Sequence, residues 1–436
     1  MKNMVTSKCI SAFSRHFWLR MPIFFSLLLS VWAVRFPFVF RKIYAEDGAL
    51  FLADALEFSF PSDLFEPAAG YSTLIMRIGG RFVSLFPLVD AALVGAAFSA
   101  ICLSFLAAGL FKYNNFSEQN FLGRLTLSLG FLFLPLSSFS AVGNIANLYI
   151  YFMTASAVFL YYHEKTKAEM VFKIAILFIT ALSLPLTVFL LPIMLHRLQL
   201  EKTKAKSWKF LKSDLVFIVG VIIQFAFILI TSLGERAPHL PQSLLKVIYL
   251  YFERGIGISV IPKWGFVSGT SEKIDFENSA NLLLSTQTRS VILFIFLVLI
   301  SSVFYKNRMH ISQVSKHQII FISILGFIYS VLVGLFFNPE PRYMIFTSFL
   351  TIWVILLLLE AESSLSIKNL SNAYLIFVLI LGLTASSHRS QGPAWVPEVK
   401  KAQENCRNSS DLQYVLIPTL PIDATWEIKI SCKKLR

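Results

Sequence analysis

The sequence predicts an all-α integral membrane protein: a multi-span helical bundle with further helices on its external loops. Three observations carry that prediction. Hydrophobic residues make up 56% of the 436 positions, where soluble domains sit near about 45–50%. Charged residues make up only 15%, against roughly 25% in soluble domains. The apolar residues are also gathered into runs of the length a bilayer demands, about 17–25 residues. One soluble core would have to hide nearly all of them from water, which a bilayer does more simply.

The runs define about nine or ten crossings, of roughly the length a helical span needs. They lie near 20–40, 88–111, 124–141, 145–162, 172–196, 214–232, 289–305, 319–337, 344–360 and 371–386. The first follows Lys2, Lys8, Arg15 and Arg20, and no small-residue cleavage site comes after it. It reads as a retained span, with residues 1–19 cytoplasmic. Segment 41–87 then falls outside. Within it, apolar residues at helical spacing from Leu74 to Leu85, with Arg77 and Arg81 four apart, predict an interfacial amphipathic helix. A second external loop spans 233–288, and its stretch 242–255 predicts another short interfacial helix.

The run 172–196 tests this topology. As a single crossing it would put 197–213, the most basic loop of the chain, outside. The sequence ITALSLPLTVFLLP breaks it at Pro185 and loosens it at Pro192. A hairpin that enters and leaves on the same side keeps the basic loop inside. Lys306, Arg308, Lys316, His317 and Lys368 then also fall inside, Arg41 and Lys42 stay outside as the exception, and the tail 387–436 falls outside. Cys406 and Cys432 both lie in that tail, where an oxidising exterior would let them form a disulfide.

The net charge of +14 invites a nucleic-acid reading. The basic residues form loop clusters between spans, not one face, so no nucleic-acid partner is expected. No phosphate-cradling glycine loop is present, so no internal ATP site is implied.

Four places carry candidate chemistry, all expected outside. Glu46 and Asp47 in YAEDGALF stand just beyond the first span. Paired carboxylates can activate a hydroxyl or hold a divalent metal (Mg or Mn), with Gly48 letting the backbone bend. Acidic residues that merely face water would look the same. In AVGNIANLYIYF, Asn144, Asn147 and Tyr149 line a cavity or simply build a turn. In NPEPRYMIF, Arg342 with Tyr343 can grip a phosphate or anchor a span end. Arg254 is a weaker phosphate candidate. An enzyme confined to this side has no direct supply of cytosolic nucleotide-sugars, and a lipid-phosphate donor would solve that.

At these residues the chain resembles the polytopic lipid-linked glycosyltransferases of the GT-C type. It looks most like a bacterial branch with an external E-D-G after the first span. The resemblance rests on AEDG (45–48), EPAAGYSTLIMRIGGRF (66–82), GNIANLY (143–149) and PRY (341–343). It implies a GT-C-like domain over 20–386, with Asp47 as the essential acid beside Glu46. Arg342, with Tyr343 and Arg254, would bind the donor phosphate, and Asn144, Asn147, Tyr149 and Tyr71 would line the cavity. The donor is then a polyprenyl-phosphate sugar and the acceptor a glycan, lipid or protein. The setting is a bacterial inner membrane and its lipids. The sequence departs from the branch at ANLY and at Ser72 and Thr73, where aromatic or His residues are usual. A flippase or polymerase of lipid-linked glycans is the alternative reading.

Overall fold

The structure is a computed structural model. It describes residues 17–68, 70–114, 116, 120–134, 141–205, 210–231, 244–257, 311, 313–336, 341–360, 364–383, 393–409, 411–419 and 426–435, with part of 294–305. The basic N-terminal residues before Arg20, most of the loop 233–288 and the turn residues 338–340 lie outside the described residues.

Among the described residues, four helices are long and apolar enough to cross a membrane: Leu88–Lys112, Lys212–Ile230, Ser315–Leu335 and Arg342–Glu360. Shorter apolar helices cover Phe121–Phe133, Leu148–Tyr161 and Leu365–Ile380. The outward faces of the bundle are apolar too. Ile222 is 61% exposed, and Leu229 and Ile230 are each 82% exposed. Ile320, Ile324 and Ile328 repeat every four residues on another outward face. Water would penalise such faces, whereas acyl chains match them. The chain is an integral membrane protein with several apolar spans.

In chain order the main helices are α1 (Phe17–Arg35), α2 (Leu74–Ser84), α3 (Ala91–Lys112), α4 (Phe121–Phe133) and α5 (Leu148–Tyr161). Then come α6 (Lys167–Ala181), α7 (Leu191–Ala205), α8 (Lys212–Ile230) and α9 (Leu244–Leu250). The last are α10 (Gln313–Phe336), α11 (Pro341–Glu360), α12 (Leu365–Gly382) and α13 (Trp395–Asn408). α5 is buried along its whole length, with Tyr149, Tyr151, Phe152 and Phe159 turned in different directions. A helix that is apolar all round belongs at the centre of a bundle. Asn120 caps α4 by accepting from the Gly123 amide, and Thr166 caps α6 by accepting from the Glu169 amide. Both satisfy amides that a helix start leaves unpaired.

The bundle has two ends, one where α1 begins and one where α1 finishes. At the first, the guanidinium groups of Arg20 and Arg124 lie 4.9 and 4.8 Å from the Phe111 ring centroid. At the second, Arg35 Nε donates to the Leu383 carbonyl just beyond α12.

The segment around Pro185 turns back on itself. α6 starts at the first end, where Lys173 Nζ donates to the Tyr162 carbonyl at 2.7 Å. The break after Ala181 lies at the second end, where the Leu74 amide donates to the Leu182 carbonyl and the Ile75 amide to Ser183 Oγ. A 3₁₀ stretch, Pro185–Leu190, then leads into α7. α7 returns to the first end, where Arg197 donates to the Leu160 carbonyl. The legs are longer than half-helices. At about 1.5 Å per residue, α6 alone is about 22 Å long.

Three expectations are corrected in detail. α2 forms as the amphipathic helix expected, with one face packed into the protein. Its Leu74, Ile75, Met76, Arg77 and Val83 are buried. Arg77 pairs with Asp54, and Arg81 Nε sits 2.8 Å from Asp63 Oδ2, so the two arginines staple the first loop together. Among the described residues the fold is all-α apart from one small hairpin. The tail folds into α13 and an antiparallel hairpin, β1 (Tyr414–Pro418) with β2 (Glu427–Ser431), paired Tyr414↔Ser431 through Pro418↔Glu427. A disulfide joins Cys406 on α13 to Cys432 just after β2, with Cα atoms 5.3 Å apart.

The third correction concerns Gly48. It has no left-handed backbone angle. A Cβ there would come within 2.7 Å of Thr419 Cγ2 in the tail and 3.0 Å of Ile43 Cγ2. Gly48 is small so that the tail can sit on the Asp47 segment, not so that the chain can bend. The tail docks further through Trp395, whose amide donates to the Arg41 carbonyl at 2.8 Å and whose Nε1 donates to the Leu88 carbonyl at 2.7 Å.

Candidate functional site

The YAEDG segment lies at the second end and is irregular in two ways. Ala45 is buried and has φ +28°, a conformation costly for a residue with a Cβ. Asp47–Leu52 then winds as a π-helix. Such turns are uncommon and recur at working sites.

The two carboxylates of this segment meet different partners. Asp47 turns toward the loop before α5. The Ile145 amide donates to its Oδ2 at 3.1 Å and the Ala146 amide to its Oδ1 at 2.7 Å. Charge-assisted bonds of this kind hold a turn firmly. Gly143 makes the same turn possible, with φ +64° and the Val39 side chain filling the space a Cβ would need. Asp47 therefore fixes the approach to α5. It also borders a shallow cleft with Lys42, Gly80 and Ile145. Burial pushes the Lys42 ammonium below its ordinary pKa.

Glu46 turns the other way. Its Oε1 is 3.8 Å from Nη1 of Arg342 on the first turn of α11, and both side chains keep about a fifth of their surface open, 24% and 20%. The Arg342 guanidinium lies 5.4 Å from the Tyr343 ring centroid. The Tyr343 hydroxyl shares a hydrogen bond with that of Tyr149, and Tyr71 is within electrostatic reach of the same hydroxyl.

Five of the residues singled out in the sequence thus converge: Glu46, Arg342, Tyr343, Tyr149 and Tyr71. Asn144 and Asn147 are close by but buried, and the Asn144 carbonyl oxygen accepts from the Asn147 amide. Through this bond they build the turn. Arg254 falls on the helical stretch Tyr251–Gly257 that packs on α11, where Thr351 Oγ1 donates to the Gly255 carbonyl. Its side chain lies outside the described residues.

No family model, no curated protein and no solved structure matches this chain. The site is therefore read from its own chemistry.

That chemistry suits an anion beside a carboxylate. Arg342 offers a guanidinium about a fifth exposed, beside the Tyr343 ring and within 3.8 Å of the Glu46 carboxylate. A divalent metal fits these residues less well. Among the described residues no group of three His, Cys, Asp or Glu gathers. Asp47 spends both oxygens on amides, and a cation on Glu46 would face the Arg342 charge.

Gln224 and Tyr329, near this site, were missed by motif reading, and Thr73 was noted only as a departure from the family branch. Each is at most 2% exposed. The one available signal was Gln224, a lone amide inside the apolar run of α8. Polar groups inside spans are rare enough to count as a functional hint.

Proposed function

We propose that this protein is a membrane glycosyltransferase. In this reading it moves a sugar from a polyprenyl-phosphate donor to a glycan, lipid or protein acceptor at the end of the bundle that carries Glu46. The observation behind it is the half-open Glu46–Arg342 pair, set on a strained backbone and backed by Tyr343 and Tyr149.

Arg342 takes the donor phosphate. Glu46 accepts the proton of the acceptor hydroxyl, whose oxygen attacks the anomeric carbon. The bond from that carbon to the phosphate oxygen breaks, and its electron pair leaves on polyprenyl phosphate, steadied by Arg342. Direct displacement inverts the anomeric configuration. Of the two carboxylates we assign the base role to Glu46, because the oxygens of Asp47 are engaged by backbone amides. Asp47 is a positioning residue, and no metal enters the steps. The location that suits this reading is a bacterial inner membrane, with the N-terminus cytoplasmic. The disulfide-bonded tail is then extracytoplasmic, where such bonds persist.

The test is gene deletion followed by mass spectrometry of the envelope glycans. Wild type, Glu46→Gln and Arg342→Met are then restored at equal membrane abundance. Loss of one sugar on deletion, returned by wild type and reduced about 10²-fold or more in Glu46→Gln, is the expected result. Full rescue by Glu46→Gln removes Glu46 from the chemistry. A whole glycan lost, or stranded on its lipid, points instead to a flippase or polymerase.

A further inference from the structure

The second end of the bundle holds buried polar atoms that the fold leaves unsatisfied. Thr73 Oγ1, Asn144 Nδ2, Gln224 Oε1 and Tyr329 Oη have no hydrogen-bond partner among the described residues. Each residue is at most 2% exposed. Buried polar atoms are paired in the great majority of cases, because desolvating one without a partner costs free energy.

These residues lie on the loops and helices that carry the site already described. Gln224 Nε2 donates to the Ser72 carbonyl at 3.1 Å, which brings its free Oε1 to the loop carrying Thr73. Tyr71, on the same loop, is within electrostatic reach of the Tyr149 hydroxyl. Asn144 stands in the turn that Asp47 holds, directly ahead of α5 and Tyr149. Tyr329 on α10 is in electrostatic reach of Tyr343 and packs edge-on to Phe189 and Phe346.

The set also has a definite chemical character. Asn144 Nδ2 only donates, Gln224 Oε1 only accepts, and the two hydroxyls do either. None of the four atoms is charged. Tyr149, Tyr343 and Phe189 add aromatic faces alongside. Neutral, mixed donors and acceptors beside aromatic rings match a ring bearing several hydroxyl groups. They do not match a phosphate or a lipid tail.

We infer that Thr73, Asn144, Gln224 and Tyr329 form the subsite that reads the hydroxyl groups of the transferred sugar, while Arg342 holds the phosphate. This rests on the glycosyltransferase reading and adds to it the residues that set sugar specificity. A site built to bond a hydroxyl discriminates strongly against a ligand that lacks it, since its own polar atoms then stay unpaired. The same unpaired atoms cost the free protein stability, a trade common at binding sites.

The test uses full-length protein in lipid nanodiscs and native mass spectrometry. The protein is exposed to synthetic undecaprenyl phosphate together with the lipid extract of its own membrane. The readout is the ratio of sugar-bearing to bare polyprenyl phosphate bound. Wild type should prefer the sugar-bearing form. Thr73→Val and Tyr329→Phe keep shape and remove one polar atom each. The double variant should lose about tenfold of that preference, as expected for two neutral hydrogen bonds. It should bind bare polyprenyl phosphate like wild type and melt at the same temperature or higher. A preference that survives in the double variant together with a lower melting temperature overturns the inference, because the hydroxyls are then structural. Wild type that binds undecaprenyl phosphate with no preference for the sugar form also overturns it, and leaves the function reading standing. Wild type that binds neither form overturns both.

Discussion

The two ends of the bundle treat charge in opposite ways. At the end where α1 begins, buried charges are paired with one another, although Arg197 Nε, Asp214 Oδ1 and both carboxylate oxygens of Glu201 lack a hydrogen bond among the described residues. Arg197 is 3% exposed and pairs with the fully buried Asp214. Lys173 is 2% exposed and lies 3.4 Å from Glu164, which also accepts from Ser213. Glu169 accepts from Tyr162 and from the Lys165 amide. This network ties the starts of α6 and α8 and the end of α7 to the end of α5. At the other end, the Glu46–Arg342 pair keeps about a fifth of its surface open and Ala45 is strained. One end is built to stay shut. The other carries the irregularities that a protein keeps where it binds something.

The sharpest way to break this contrast is at the closed end. Arg197→Met leaves Asp214 buried without its charge partner and should cost about 3–5 kcal/mol. Thermal melting in detergent reads it directly, and replacing Asp214 by Leu in the same chain should recover much of the loss. Glu46→Gln at the open end should cost only about 0–1 kcal/mol of stability while removing activity. If Arg197→Met melts close to wild type, the closed end is not locked by charge and the contrast fails.

Asp47→Asn should have an intermediate effect. Asn offers one carbonyl oxygen where the carboxylate serves two amides, so about 1–3 kcal/mol of stability should go. Hydrogen exchange at Ile145 and Ala146 should speed up while the rest of α5 stays protected. Unchanged exchange at those amides would show that Asp47 does not hold the turn.

The smallest effect belongs to His163, at the rim of the closed end and half-exposed, with Glu201 Oε1 2.8 Å from its Nε2. Glu201 raises its pKa, but burial first, and then Arg197 and Lys173, pull it down further, so the net shift is below 6.5. Below that value the unfolded chain binds the proton more readily, so stability rises with pH through the window under 6.5 and is lost as pH falls. His163→Gln should flatten a shallow slope in melting temperature over that window.

Much of the architecture was legible because it depends on local composition. Apolar runs marked the spans, and Pro185 beside the basic loop 197–213 marked the turn-back. AEDG and PRY were legible as charged motifs beside spans from residue type. Their partners were not. Glu46 and Asp47 are adjacent, yet one faces α11 and the other the loop before α5. That division follows from the strained Ala45 and the π-helix, and neither has a local sequence signature. The role of Gly48 depends on Thr419 near the far end of the chain, and the staples of Arg77 and Arg81 depend on how the first loop folds back.

The sequence by itself determined that the chain belongs in a membrane and that several of its apolar runs are long enough to cross one. Hydrophobic transfer is nearly additive along the chain, so summing over a run is enough. Only the tertiary structure decided which charges meet, that Asp47 anchors while Glu46 stays half-open, and that the tail covers the first loop. Those outcomes are set by contacts between elements distant in sequence. Such a contact depends on packing angles and distances of a few ångströms, which no local pattern of residues encodes.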